Sequence, residues 1–171
     1  MKVNILLSTY NGEQFLAEQV KSIQEQTYQE WELLIRDDGS SDGTVEVIKQ
    51  LVAKDPRIHF INENHVENVG VIKSFHALLK YSKADLYCFS DQDDFWLPEK
   101  ISLQVTEAKK YSQDKPLLIY TDLKVVDENL SVLHDSMIRT QSDHANTELI
   151  QELTENTVTG GVAMINHALA E

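Results

Sequence analysis

Aspartates gather at two places in the sequence, each directly after a short apolar run. Asp37 and Asp38 follow one run, and Asp91, Asp93 and Asp94 follow another. Two carboxylates about 4 Å apart repel each other by roughly 1 kcal/mol in water and about 4 kcal/mol at an effective dielectric constant of 20. Such a cluster needs a cation, hydrogen-bond donors or raised pKa values. Carboxylate oxygens prefer Mg²⁺ or Mn²⁺ to Zn²⁺, so the pattern predicts a divalent cation that bridges a phosphate-containing ligand.

A second interpretation makes these aspartates solvated loop residues or helix caps. Asp42 favours it, because this residue directly precedes a helical pattern, where an N-cap is expected. Residues 91–94 favour the ligand interpretation, because three carboxylates are crowded there after a buried run.

The elements that must position these side chains alternate between strand and helix over the first 120 residues. Strand-like runs occupy residues 3–8, 31–36, 58–61, 86–89 and 117–120. Helical spacing of apolar residues fills the stretches between them, for example across residues 13–26. This alternation predicts an α/β fold in one domain, residues 1–171, with a mainly parallel central sheet flanked by helices.

Polar residues also follow the first strand, where Ser8, Thr9 and Asn11 stand. Parallel open sheets bind ligands beyond the carboxyl ends of their strands. The sequence therefore predicts that these residues meet both aspartate groups at one edge of the sheet.

Composition and missing motifs exclude several classes of protein. The chain holds 15 Lys plus Arg against 28 Asp plus Glu, a formal charge of −13, which argues against a general nucleic-acid binder. Cys88 is the single cysteine, so a zinc site of several thiolates is excluded and a reducing cytoplasm is indicated. The first strand is not followed by a GxGxxG or GxxxxGK[ST] loop, and no GxSxG elbow occurs.

Neither end of the sequence carries a targeting or spanning signal. The apolar stretch after Lys2 is too short for a signal-peptide core, and no stretch approaches about 20 apolar residues. Residues 158–166 have the pattern of a buried strand, and the chain stops at Glu171 soon after it. We therefore expect that the C-terminal part of the domain is missing.

Four motifs resemble those of family 2 glycosyltransferases. They are residues 3–12 (VNILLSTYNG), 26–28 (QTY), 37–44 (DDGSSDGT) and 91–100 (DQDDFWLPEK). They occur in the family's order and spacing and cover essentially the whole chain. The DQDDFW form, with YTDL at residues 120–123, resembles the rhamnosyltransferase-like branch.

The resemblance implies a GT-A fold, which is a nucleotide-diphospho-sugar transferase fold. Ser8, Tyr10 and Asn11 match the loop that lines the nucleotide pocket. Asp38 matches the acidic residue that hydrogen-bonds the pyrimidine base, and Asp37 precedes it in the same turn.

The resemblance also assigns the second acidic group. Asp91 and Asp93 match a DXD motif, in which the first lies near the ribose and the second binds a divalent metal, Mn or Mg, on the diphosphate. Asp94 extends this group toward the sugar. Gly160 and Gly161 match a small-residue strand and turn close to the donor sugar and the acceptor.

Three further residues have two interpretations each. Trp96 either stacks on a sugar or anchors its loop in the core. Asp122 either faces the donor or acceptor or is a loop residue. Lys73 either reaches a phosphate or is an ordinary surface residue.

The implied activity is an inverting, metal-dependent glycosyltransferase of the hexosyltransferase type, with rhamnose as a candidate sugar. Its partners would be a nucleotide-diphosphate sugar and a glycan or lipid-linked acceptor in cell-surface polysaccharide synthesis, with no nucleic acid. The lipid-linked acceptors leave open a peripheral contact at the inner face of the membrane. The catalytic base is expected beyond Glu171, so this chain is expected to be inactive. A nucleotidyltransferase-like sugar-phosphate enzyme and a non-catalytic nucleotide-binding domain are the alternatives.

Overall fold

The computed structural model describes residues 1–141, 145–146 and 158–171. Its main feature is a six-stranded sheet. The strands are β1 (Val3–Thr9), β2 (Trp31–Asp37), β3 (Ile58–Phe60), β4 (Leu86–Ser90), β5 (Leu118–Tyr120) and β8 (Ala163–Asn166), and a separate two-stranded hairpin holds β6 (Val125–Val126) and β7 (Val132–His134).

The strands of the large sheet follow the order β3-β2-β1-β4-β8-β5. Strands β3, β2, β1 and β4 pair in parallel, and β8 pairs antiparallel with both β4 and β5. In the sheet as described, β8 alone runs against its neighbours. The α/β fold with a mainly parallel sheet, predicted from the alternating pattern, is confirmed.

Four helices of nine to eleven residues cover the sheet. They are α1 (Leu16–Gln24), α2 (Thr44–Lys54), α3 (Val71–Tyr81) and α4 (Lys100–Ala108), and short helices follow at Ile138–Gln141 and His167–Ala170. Across residues 1–141, 145–146 and 158–171, no helix combines the length and apolarity that a bilayer span requires.

The central strand β1 shows why helices cover both faces of the sheet. Its alternating side chains point to opposite faces, so Ile5 and Leu7 join the larger core cluster under α1, α2 and α4. Leu6 joins a smaller cluster with Leu78 of α3. All of these side chains are fully buried, as expected for a parallel strand covered on both faces.

The segment expected to be one strand over residues 158–166 is split in the structure. Gly160–Val162 forms a 3₁₀ turn, and only Ala163–Asn166 is strand. Gly161, in this turn, passes close to the acidic residues after β4.

Candidate functional site

The carboxyl ends of β1, β2 and β4 lie side by side at one edge of the sheet. Thr9 at the end of β1 pairs with Asp37 at the end of β2, and Leu7 pairs with Ser90 at the end of β4. Because β1 is the middle strand, the loop after it lies between the two aspartate groups. The predicted convergence of the three polar groups is confirmed.

Hydrogen bonds tie the loop after β1 to both neighbours. The Gln92 side chain accepts from the backbone nitrogen of Tyr10 at 2.9 Å and donates to its backbone oxygen at 3.1 Å. On the other side, the backbone nitrogen of Asn11 donates to Ser40 Oγ at 2.8 Å, and Asn11 Oδ1 accepts from the Ser41 nitrogen at 2.9 Å. The three loops therefore form one connected surface, on which the Tyr10 side chain is exposed.

Asp37 organises the turn after β2 rather than facing a ligand. Its carboxylate accepts from Thr9 Oγ1 at 2.8 Å, from the Gly39 nitrogen at 3.1 Å, and from both the nitrogen and the hydroxyl of Ser40. The side chain is fully buried. Gly39 adopts a φ of 86°, a conformation that glycine takes without strain, and this completes the turn.

Asp38 is buried and held by three donors. Its Oδ1 accepts from Arg36 Nη1 at 2.7 Å and from the Val69 nitrogen at 2.8 Å, and its Oδ2 accepts from the Gly70 nitrogen at 3.0 Å. The ion pair is sheltered, since 7% of each side chain is exposed. Sequence reasoning missed Arg36, although a charged residue after three apolar ones in this strand was a signal for a buried partner.

A cavity of about 470 Å³ opens beside this ion pair. Arg36 and Val69, which both bind Asp38, line it together with Asn62, Glu67 and Lys73. The structure thus places Lys73 at the edge of the site. Ser8 lies nearby and shares a hydrogen bond of 2.6 Å with Ser74 of α3, so its hydroxyl faces the helix.

The acidic turn after β4 brings Asp91, Asp93 and Asp94 together. Desolvation and the negative charges of Asp91 and Asp93 raise the pKa of Asp94 to about 6. Desolvation and the charge of Asp93 also raise the pKa of Asp91. None of the ion pairs formed by the described residues involves these three carboxylates, so their mutual repulsion is uncompensated by a paired side chain.

Gly161 lies directly against this acidic turn. A Cβ at position 161 would collide with Asp94 Oδ2 and come within 3.6 Å of Asp91 Oδ2. Gly160 has open space around it. The structure therefore brings Gly161 to Asp91 and Asp94, and leaves Gly160 exposed next to them.

Trp96 and Lys100 follow the acidic turn and pack against each other. Trp96 is 3% exposed and belongs to the larger core cluster, so its position fits the anchoring interpretation and leaves no ring face for a sugar. Lys100 Nζ lies 4.6 Å from the centre of the Trp96 ring. Burial lowers the pKa of Lys100, and the charge of Asp94 acts in the opposite direction.

Lys100 and Gln92 belong to the quoted motif, but sequence reasoning gave neither of them a role. The buried Lys100 Nζ has no hydrogen-bond partner among the described residues. A lysine at the start of α4, a few positions after three aspartates, was a usable signal for electrostatic compensation. The double hydrogen bond between Gln92 and Tyr10 could not be inferred, because it depends on the pairing of β1 with β4.

Asp122 forms no described contact with the acidic turn, and its carboxylate has structural partners elsewhere. Desolvation opposes its ionisation, but hydrogen bonds from Ser136 and from the Ile138 nitrogen outweigh this effect and lower the pKa of Asp122. The carboxylate therefore fixes the start of the helix Ile138–Gln141. Its position fits the loop interpretation better than a donor or acceptor contact.

The acidic turn fits an open divalent-cation site, in which the protein supplies only part of the coordination. Among residues 1–141, 145–146 and 158–171, no three His, Cys, Asp or Glu side chains come together as a metal cage. Mg²⁺ is usually bound by one or two carboxylates while substrate phosphates and water complete its coordination. The hard oxygens of Asp91, Asp93 and Asp94, which lack a paired cation, are suitable ligands for this open kind of site.

Solved structures identify the fold. The S. aureus TarS fragment 1–349 in complex with UDP matches with a TM-score of 0.68 and 19% identity, over 98% of this chain and 47% of that chain. The mannosyltransferase PcManGT from Pyrobaculum calidifontis, in complex with GDP-Man and Mn²⁺, matches with a TM-score of 0.56 and 21% identity, over 61% of this chain and 31% of that chain. The fold is the GT-A fold of nucleotide-sugar transferases.

The family follows from the sequence comparison. The model of glycosyl transferase family 2 matches residues 4–167, so the chain belongs to that family. The Escherichia coli UDP-Glc:alpha-D-GlcNAc-diphosphoundecaprenol beta-1,3-glucosyltransferase WfgD is 30% identical over 74% of this chain and 47% of its own length. The dTDP-rhamnosyl transferase RfbG of Shigella flexneri is 38% identical over 56% of this chain and 34% of its own length. The chain thus spans about half the length, or less, of these curated relatives.

Proposed function

We propose that this chain is the donor-binding domain, residues 1–171, of an inverting glycosyltransferase. The chain binds a nucleotide-diphosphate sugar, and the enzyme to which it belongs transfers that sugar to a glycan or a lipid-linked acceptor in cell-surface polysaccharide synthesis. One observation carries this proposal: Asp38 and the acidic turn lie on either side of the loop after β1, and hydrogen bonds join that loop to both turns.

Each part of this surface has a task in the proposed reaction. Asp38 accepts a hydrogen bond from the nucleobase, and the exposed ring of Tyr10, beside Asn11 and Ser8, packs near the nucleoside. Asp91 hydrogen-bonds the ribose. Gly161 lets the chain pass directly against Asp94, because a Cβ at that position would collide with Asp94 Oδ2, and it thereby keeps Asp94 at the place proposed for the donor sugar.

Asp93 is the residue that would hold a divalent cation, Mn or Mg. When bound, such a cation neutralises the charge that the leaving diphosphate gains in the transition state. The exposure of Asp93 in the acidic turn supports this role. Ionised Asp91 and Asp94 favour the same cation through their own charges.

The relatives support the biological setting of the proposal. WfgD is named for a UDP-glucose donor and a diphosphoundecaprenol acceptor, and RfbG for a dTDP-rhamnose donor. We infer rhamnose or another hexose as the transferred sugar and a lipid-linked glycan as the acceptor, reached by peripheral contact at the membrane. The free, buried Cys88 is in keeping with a reducing cytoplasm.

Titration calorimetry with nucleoside diphosphates, with and without Mn²⁺, tests the metal role. We expect binding that requires Mn²⁺ and is lost in Asp93→Asn, because the amide keeps the shape but removes the charge that holds the cation. Asp114→Asn, at an exposed aspartate in the loop before β5, is the matched control and should bind as the wild type does. Undiminished affinity in Asp93→Asn, or a clear preference for triphosphates, would contradict the proposal.

A further inference from the structure

A buried glutamine of α1 is hydrogen-bonded to the chain segment that carries the acidic turn. Gln19 is fully buried, and its amide nitrogen donates to the Asp94 backbone oxygen at 2.6 Å and to Ser22 Oγ at 2.9 Å. Its amide oxygen accepts from Ser90 Oγ at 2.7 Å and from Trp96 Nε1 at 3.3 Å. The reverse orientation of the amide would set its oxygen against the Asp94 oxygen. All four hydrogen-bonding positions of the amide are thus used.

Ser22, one turn further along α1, adds to this attachment. Its hydroxyl accepts from the Trp96 backbone nitrogen at 3.0 Å and donates to the Gln19 backbone oxygen at 2.7 Å. Ser22 is buried as well. The segment that carries the aspartates is therefore attached to α1 at its start, its middle and its end, through Ser90, Asp94 and Trp96.

The acidic turn needs such an attachment because its charges oppose a compact shape. In the part of the chain that the structure describes, Asp91, Asp93 and Asp94 form no ion pair. The Gln19 amide is neutral, and its contact with Asp94 is to the backbone oxygen. It therefore holds the turn while leaving the carboxylate oxygens available to a cation.

We propose, resting on the function proposed above, that Gln19 is a positioning residue that holds Asp91, Asp93 and Asp94 in the arrangement that receives the divalent cation. Gln19 acts through the turn, because its own side chain is buried. A turn released from Gln19 would adopt this arrangement in only a fraction of the molecules. The apparent dissociation constant of the cation then rises by the inverse of that fraction.

Gln26 offers a matched control for a substitution at Gln19. It is also buried, and its side chain donates to the backbone oxygens of Ser22 at 3.2 Å and Leu97 at 2.8 Å and accepts from the Ile101 nitrogen at 3.1 Å. All three partners lie outside residues 90–96. Gln26→Met therefore removes a comparable set of buried hydrogen bonds without releasing the acidic turn.

Amide hydrogen exchange of the metal-free, 171-residue chain tests the attachment itself. In Gln19→Met, a peptide spanning residues 90–96 should exchange about tenfold faster than in the wild type. In Gln26→Met it should exchange at the wild-type rate, although thermal unfolding should show that both variants are destabilised. Wild-type exchange in Gln19→Met, or equal acceleration in Gln26→Met, would overturn the role of Gln19.

Calorimetry with Mn²⁺ in the presence of UDP tests the consequence for the cation. The dissociation constant of Mn²⁺ should rise about tenfold in Gln19→Met and stay at the wild-type value in Gln26→Met. Circular dichroism shows whether Gln19→Met folds; if it does not, Ser22→Ala takes its place in both experiments, with an expected rise of about threefold.

The two experiments separate this inference from the proposed function. A folded Gln19→Met that binds Mn²⁺ and UDP as the wild type does overturns the role of Gln19 and leaves the glycosyltransferase proposal standing. A wild type that fails to bind Mn²⁺ with UDP overturns the proposed function and the cation role inferred for Gln19, even where hydrogen exchange confirms the attachment of the turn.

Discussion

At the acidic turn, ionisation of Asp94 works against folding. The folded protein raises the pKa of this carboxyl group from 3.8 to about 6, first through desolvation and then through the charges of Asp91 and Asp93. The folded state therefore binds this proton more tightly than the unfolded chain does. Its contribution to stability is fully present below about pH 4 and is lost as the pH rises toward 6.

Asp94→Asn should consequently stabilise the metal-free protein at neutral pH. The amide cannot ionise, so the variant escapes a penalty of at most about 3 kcal/mol, at about 1.4 kcal/mol for each pKa unit. Denaturant unfolding in the presence of a chelator measures the difference, which should appear between about pH 4 and 6 and stay constant above that range.

The control for this measurement is Asp135→Asn, at an exposed aspartate that pairs with Lys124 on the surface. Its effect should be small, because exposed ion pairs contribute about 0–1 kcal/mol. An Asp94→Asn variant that is equally or less stable than the wild type at pH 7 would show that the acidic turn is not strained by its own charges.

The residue types predicted which side chains form the site, but they did not predict the hydrogen bonds that hold those side chains. The aspartates after β2 and β4 were recognised because their charge and crowding are visible in the sequence. The buried contacts of Arg36 were not, because its partners Ser74 and Glu67 come from α3 and the loop before it, whose path over β2 the sequence does not reveal. Trp96 had two interpretations, and only its burial separates them.

At the scale of elements, the 3₁₀ turn Gly160–Val162 controls how closely β8 approaches the acidic turn. Its two glycines lie in different surroundings, since Gly161 contacts Asp94 and Gly160 has open space. The resemblance to the family identified both as candidates, because they match its small-residue strand and turn. It could not show which one makes the contact, or that β8 runs antiparallel, because an apolar run carries no information on strand direction.

The pair Gly161→Ala and Gly160→Ala measures this close approach. The methyl group at position 161 would collide with Asp94 Oδ2, so we expect a loss of about 1–3 kcal/mol in the free energy of unfolding and weaker binding of the donor. The same methyl group at position 160 meets open space and should change stability by at most about 0.5 kcal/mol. Equal effects of the two substitutions would contradict the contact.

For the whole molecule, the formal charge of −13 sets the conditions under which an anionic donor binds. A diphosphate approaching this protein meets a field of its own sign, in addition to the local repulsion of the acidic turn. A divalent cation bound at the acidic turn would offset the local repulsion. Nucleotide and cation are therefore expected to bind together, each weakly without the other.

Thermal unfolding measures this linkage. UDP and Mn²⁺ added together at 100 times the dissociation constant should stabilise the fold by about 2.7 kcal/mol. For a domain of this size, that raises Tm by about 5–10 °C. UDP alone, or uridine with Mn²⁺, is the control and should give a much smaller shift; a shift of the same size without the cation would contradict the coupling.

The position of β1 between β2 and β4 has a geometric consequence for the ligand. Neighbouring strands are about 4.8 Å apart, so the backbones that carry Asp38 and the acidic turn are separated by about 10 Å. Asp38 and the acidic turn are therefore two contact points at a fixed separation. A nucleoside diphosphate is long enough to reach both contact points, whereas a free sugar phosphate reaches one, so the length of the ligand selects the activated donor over its unactivated precursor.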